Sequence, residues 1–163
     1  MLYSVSIITN KYIKRDIQML QNLKMRHAEL TDAKDLYQWR TDPVSVSESL
    51  NHQVFTFKSH VSWLKKTLKD PDRSLLIFID SNGHSVGTGR ADKQGSHYLL
   101  SWTVAPDVRQ QGIGAYIVKM LVKRYHPSKA LILESNKASI YIATKAGLNE
   151  IKRIDGIVQL ESR

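Results

Sequence analysis

The stretch from Arg109 to Gly114, RQQGIG, sets two glycines where a helix must begin. The residues that follow, AYIVKMLVKRY, bring Ile117, Met120, Leu121 and Tyr125 near one face at helical spacing. Glycine inside a helix costs about 1 kcal/mol relative to alanine, so two within one first turn need a reason. Either another group comes very close to the backbone there, or the segment is a glycine-rich turn entering a packed helix.

The elements around this joint follow from pattern. A regular alternation begins at LKMRHAEL, which reads as a strand, and Thr31 is placed to cap the helix DAKDLYQWR. Asp42-Pro43 ends that helix, because a residue before proline is biased out of the helical region. SVSESLNHQVFT reads as a loop, and FKSHVSWLKKTLK as a second helix with Phe57, Val61, Leu64 and Leu68 as its apolar stripe. SLLIFID and SVGTGRAD are strands joined at Asn82-Gly83, a two-residue hairpin signal. After the turn KQGS comes a third antiparallel strand, HYLLSWTV. Beyond the glycine-bearing helix lie the apolar strand KALILES and the helix NKASIYIATKAGL, with Gly147 as its stop. A hairpin around Asp155-Gly156 closes the chain.

Composition narrows the class. A chain of 163 residues with 42% hydrophobic and 24% charged residues fits one globular domain with a proper core. It has no cysteine, which excludes disulfides, thiolate metal sites and a cysteine nucleophile. No stretch is as long and apolar as a membrane span, and the first residues have the wrong charge order for a secretory signal, so a soluble cytoplasmic protein is expected. The net charge of +9 favours polyanions, yet the basic residues are scattered and not interleaved with aromatics, which disfavours a nucleic-acid surface. A phosphate-bearing ligand fits the balance better. Residues 1–24 read as an N-terminal extension and 25–163 as the domain.

The stretch WTVAPDVRQQGIGAYIVKMLV resembles the GNAT superfamily of N-acetyltransferases: a strand, Val-x-Pro, then Arg/Gln-x-x-Gly-x-Gly/Ala opening a long helix. ESNKASIYIATKAGL resembles the same family's Asn-x-x-Ser/Ala … Gly-Phe/Leu helix. The resemblance implies an α/β fold (α+β by strict layer rules), with a mixed, mostly antiparallel sheet of six to seven strands. Four helices would flank that sheet, and its two central strands would splay.

It also implies acetyl-CoA as acyl donor and no metal. The pyrophosphate would lie against the backbone of Arg109, Gln110, Gln111, Gly112, Ile113, Gly114 and Ala115, because a helix start presents unpaired N–H donors and a positive dipole end. Arg109 would add a charge-assisted contact. Trp102, Thr103 and Val104 would line the pantetheine arm, with a backbone N–H near Trp102 polarising the thioester carbonyl. Asn136 and Ser139 match coenzyme-contact positions; as residues, they equally suit a helix cap.

For the acceptor amine, a proton must be removed. The strand position matching a glutamate of some relatives is Tyr98, beside His97; Ser101 and Glu134 are further candidates. Ala143 stands where many members place a proton-donating tyrosine, and Tyr141 is about 200° away round the helix. The segment from WRTDP to the His-x-x-Trp helix resembles bacterial amino-sugar-nucleotide N-acetyltransferases, which points to Arg40, His60 and Trp63 for acceptor contacts. The expected partners are acetyl-CoA and an amine-bearing small molecule, with a homodimer left open. Two other readings stay open: an N-acetyltransferase for proteins or peptides, and a non-catalytic acetyl-CoA sensor.

Overall fold

Alternation of apolar residues makes the middle of the chain a sheet, and the computed structural model, which describes residues 22–53 and 55–162, places seven strands in it. In chain order the elements are β1 (Lys24–His27), α1 (Ala33–Thr41), α2 (Pro43–Ser47), α3 (Phe57–Thr67), β2 (Arg73–Ile79), β3 (Ser85–Gln94), β4 (His97–Val104), α4 (Ile113–Arg124), β5 (Ser128–Leu133), α5 (Lys137–Lys145), β6 (Leu148–Ile154) and β7 (Ile157–Ser162). The strand order is β1-β2-β3-β4-β5-β7-β6, antiparallel throughout except between β4 and β5. This is the expected mixed, mostly antiparallel α/β architecture, with five α-helices where four were expected. The additional one is α2, which occupies the start of the expected loop.

Because successive strand residues face opposite ways, β2 serves both layers. Leu75 and Ile77 pack with Leu36 and Trp39 of α1 and Leu64 of α3. Leu76 and Phe78 pack with Ile117 and Leu121 of α4 on the other face. Ala143 of α5 joins Ala130, Ile132, Val158 and Leu160, and Trp102 and Val122 bridge this cluster to that of α4. Glycines in β3 let α4 lie directly on the sheet. A Cβ at Gly87 would sit 2.8 Å from Ile117 Cδ1, and one at Gly89 would sit 2.9 Å from Leu121 Cδ1 and Cδ2.

Several local expectations change. Helix α1 is entered through a 3-10 turn at Leu30–Asp32, and the capping role falls to Glu29 and Asp32 instead of Thr31. Asp32 accepts from the Glu29 amide at 2.7 Å and from Arg26 at 2.7 Å through each carboxylate oxygen. Helix α3 is rotated from its expected stripe: His60, Leu64 and Thr67 are buried, whereas Phe57 and Leu68 are exposed. The β2–β3 loop is longer than two residues, since Asp80 N–H donates to the His84 carbonyl and only Gly83 is left-handed. The Asp155-Gly156 turn does carry two left-handed residues, at φ 51° and 74°. At the N-terminus, Leu23 is buried in the core and accepts from Tyr116 Oη, so the domain takes in the end of the expected extension. Residues 1–21 lie outside the described residues.

Candidate functional site

Strand β4 carries the site because it has two different edges. Along its whole length it pairs with β3, with Arg90 opposite Ser101 and Thr88 opposite Thr103. On the other side it pairs with β5 only from Tyr98 to Leu100. From Ser101 to Val104 that edge is unpaired, which is the splay expected between the two central strands. A cavity of about 770 Å³ follows it, and Ser101, Trp102, Thr103 and Val104 all line the wall.

One end of the cavity is built by the segment leading into α4. Gln110 and Gly112 are left-handed, at φ 62° and 80°. The latter conformation suits glycine because it has no Cβ to clash. The first helical bond of α4 runs from Tyr116 N–H to the Gly112 carbonyl at 3.1 Å, so the amides of Ile113, Gly114 and Ala115 precede it. These are the unbonded donors of a helix start, with the dipole's positive end behind them. Gln110, Gly112, Gly114 and Ala115 line the cavity; Ile113 is buried in the core behind it, and Gln111 is exposed outside the wall. Across from them stand Asn136 and Ser139. The Asn136 side-chain oxygen is committed to the α5 cap, accepting from Ser139 N–H at 3.0 Å.

Arg109 has partners within the protein that its sequence neighbours do not indicate. Its guanidinium is paired with Asp42 at 2.8 Å and donates to Ser45 Oγ at 3.0 Å, with a longer bond to the Val104 carbonyl. Burial raises the Asp42 carboxyl, but Arg109 and the Ser45 and Val44 amides outweigh it and hold it below the usual range. Arg109 therefore ties α2 to the loop before α4. It also lines the cavity, on the wall formed by Gln110, Gly112 and Gly114.

The other end of the cavity is aromatic and basic. Arg40 of α1 lies over Phe55 at 4.1 Å and over Trp63 at 5.2 Å. Burial and repulsion from Arg90 draw its pKa below the ordinary value. His60 sits among Tyr37, Phe57 and Trp63, with ring centroids 5.5 to 6.5 Å apart. Burial, then Arg40, lowers its pKa, opposed by a hydrogen bond to the Ala33 backbone; its Nε2 is buried without a protein partner. Arg40, His60 and Trp63 are thus brought together on the cavity wall with the β4 edge.

Thr88 and Arg90 of β3 belong to the same wall and were not singled out from the sequence. The available signal was SVGTGRAD: glycines at 87 and 89 turn one face of β3 to α4, which leaves Thr88 and Arg90 on the other. The remaining proton-transfer candidates fall elsewhere. His97 and Tyr98 are at the start of β4, outside the cavity wall, and the Tyr98 ring packs on Tyr125 at 5.3 Å. Glu134 is ion-paired with Arg153 outside the cavity at 2.5 Å. Ala143 is wholly buried against the sheet, and Tyr141 is exposed beside Lys145.

A strand parting from its parallel neighbour above a glycine-led helix start defines a class of acyltransferase that holds coenzyme A in the gap. Residues 22–149 match the family described as the acetyltransferase (GNAT) domain, and the chain belongs to that family. It is an acyltransferase that uses acetyl-CoA as donor and an amine as acceptor.

Solved structures share the fold. The spermidine N-acetyltransferase of Vibrio cholerae, in complex with CoA and spermine, superposes with a TM-score of 0.78 at 12% identity, covering 86% of this chain and 95% of its own. A domain from Methanocaldococcus jannaschii gives 0.74 at 19% identity, covering 85% and 96%. The ribosomal-protein-alanine N-acetyltransferase of Brucella melitensis gives 0.71 at 21% identity, covering 85% and 98%. No curated protein sequence matches the chain. Among the described residues, no helix is long and apolar enough to cross a membrane.

Proposed function

We propose that the chain acetylates the amine of a nucleotide-linked amino sugar by direct transfer. The observation that carries this reading is that one cavity joins the unpaired β4 edge and the α4 amides to the basic, aromatic recess of Arg40, His60 and Trp63.

The residues fit acetyl-CoA. The unpaired backbone of Ser101–Val104 offers strand-like hydrogen bonds to an extended arm. The amides of Ile113, Gly114 and Ala115 offer an anion site. Bound acetyl-CoA supplies an activated thioester carbonyl. The chain's own contribution is to orient that carbonyl beside β4, to exclude water with Trp102 and Ile142, and to present the acceptor amine from the α1–α3 side. His60 lines the same recess, its pKa lowered by burial and by Arg40. With no cysteine in the chain, the transfer proceeds through a ternary complex.

The test is thiol release from acetyl-CoA with 4-amino-sugar nucleotides, ribosomal-type peptides and polyamines as acceptors. Turnover confined to the sugar nucleotides supports the proposal. Turnover of peptides or polyamines instead would refute it, and coenzyme binding without turnover would favour the sensor.

A further inference from the structure

The charges of the acceptor recess are unevenly matched. Arg90 is paired with Asp92 at 3.1 Å, and Arg109 with Asp42. Arg40 has no carboxylate within ion-pair distance among the described residues, although it is half-buried and close enough to Arg90 to be repelled by it. Its guanidinium is held between Phe55 and Trp63, so its position is set before any ligand arrives. Holding such a group out of water without a counter-ion is costly unless an anion completes the site. Among the described residues lining the cavity, Glu48 is the sole carboxylate, and it is exposed at the C-terminal end of α2.

We infer that Arg40, backed by Arg90, is an anion seat: the acceptor carries a phosphate or carboxylate that docks there while its amine faces the β4 edge. This rests on the transferase reading and deepens it by assigning the acceptor's charge. A polycationic acceptor is disfavoured, since it would meet two guanidiniums and one rim carboxylate. Arg40 is a specificity-determining residue, and its planar fork suits either oxyanion.

The experiment uses the full chain saturated with coenzyme and matched acceptor pairs that differ only in the anion. One pair is the 1-phosphate of a 4-amino sugar and the methyl glycoside of the same sugar; another is an ω-amino acid and its amide; spermidine is the cationic control. Thiol release gives kcat/KM, and quenching of Trp63 fluorescence, with Trp63→Phe as the blank, gives acceptor binding independently of turnover. The expected result is at least a tenfold preference for the anionic member of one pair, which also reports whether phosphate or carboxylate is the source. Arg40→Gln should abolish that preference while coenzyme still raises the melting temperature, and Arg40→Lys should restore part of it. Anion-selective binding that Arg40→Gln removes, without thiol release, would uphold the seat while the transferase reading fails. A preference for the neutral member or for spermidine, an unchanged ratio in Arg40→Gln, or binding of no acceptor would overturn the inference.

Discussion

The two glycines of RQQGIG do different work, and exchanging each for alanine separates their roles. Gly112 is at φ 80°, a conformation that costs a residue with a Cβ about 1–2 kcal/mol. A domain of this size loses about 2–4 °C of melting temperature per kcal/mol, so Gly112→Ala should melt about 2–8 °C below the wild type. Gly114 is inside the helix, where alanine gains up to about 1 kcal/mol in propensity. Against that, its Cβ would meet Ile142 Cδ1 and Val104 Cγ2 at 3.3 Å each, a few tenths of an ångström too close. Both are flexible side-chain ends, so Gly114→Ala should stay within about 1 kcal/mol of the wild type. The cost falls on the cavity, because Ile142 and Val104 are both part of its wall and must shift. A loss of about tenfold in coenzyme affinity, or ~1.4 kcal/mol, is expected. Thermal melts with and without coenzyme A, together with titration calorimetry, read both quantities. Wild-type melting of Gly112→Ala, or wild-type coenzyme affinity in Gly114→Ala, would refute the reasoning.

Three further outcomes are expected. Asp32→Asn removes the charge and one of the two acceptor oxygens that take bonds from Arg26 and the Glu29 amide, and should cost about 2–3 kcal/mol by urea denaturation. Burial alone would raise the Asp32 carboxyl, but Arg26 and the Glu29 amide lower it overall; the wild-type advantage should therefore be full above the unfolded value near 3.9 and be lost as pH falls through the lower folded value. Arg109→Ala should lower stability by about 1–2 kcal/mol without any coenzyme present, since it strands Asp42; unchanged melting would return Arg109 to a purely phosphate-facing role. His60→Phe keeps the ring among Tyr37, Phe57 and Trp63 and removes an unpartnered nitrogen, so melting should hold within about 1 kcal/mol while kcat/KM falls at least tenfold; full activity would take His60 out of the site.

Local chemistry was legible where a short stretch decides the conformation. The Asn136 cap, the left-handed Gly147 after α5 and the Asp155-Gly156 turn each depend on neighbours within a few residues. So does β4, whose bounds at His97 and Val104 match its apolar run. What escaped depends on partners distant in sequence. Nothing near Arg109 indicates that Asp42 and Ser45 will take its guanidinium. Nothing in FKSHVSWLKKTLK indicates that α3 will turn His60 inward in place of Phe57. Hydrophobicity ranks phenylalanine above histidine, but the neighbouring Tyr37 and Trp63 accommodate a neutral imidazole and leave Phe57 half in water. Tyr98 matches the strand position of a glutamate in some relatives and His97 stands beside it, but strand position says nothing of where β5 stops pairing.

That stopping point has a mechanical consequence. The sheet is two half-sheets, β1 to β4 and β5 to β7, joined directly over three residue pairs and backed by α4 and α5. A plate notched from one edge bends at the end of the notch, and here that is Leu100 against Ala130. From Leu100 to Val104 the lever is about 13 Å at 3.3 Å per residue. A rotation of about 5° about the pivot moves the open end by about 1 Å, the scale on which positioning of reacting groups changes rates about a hundredfold. The core packed under Trp102, which joins the α4 and α5 clusters, thus sets the width of the jaw.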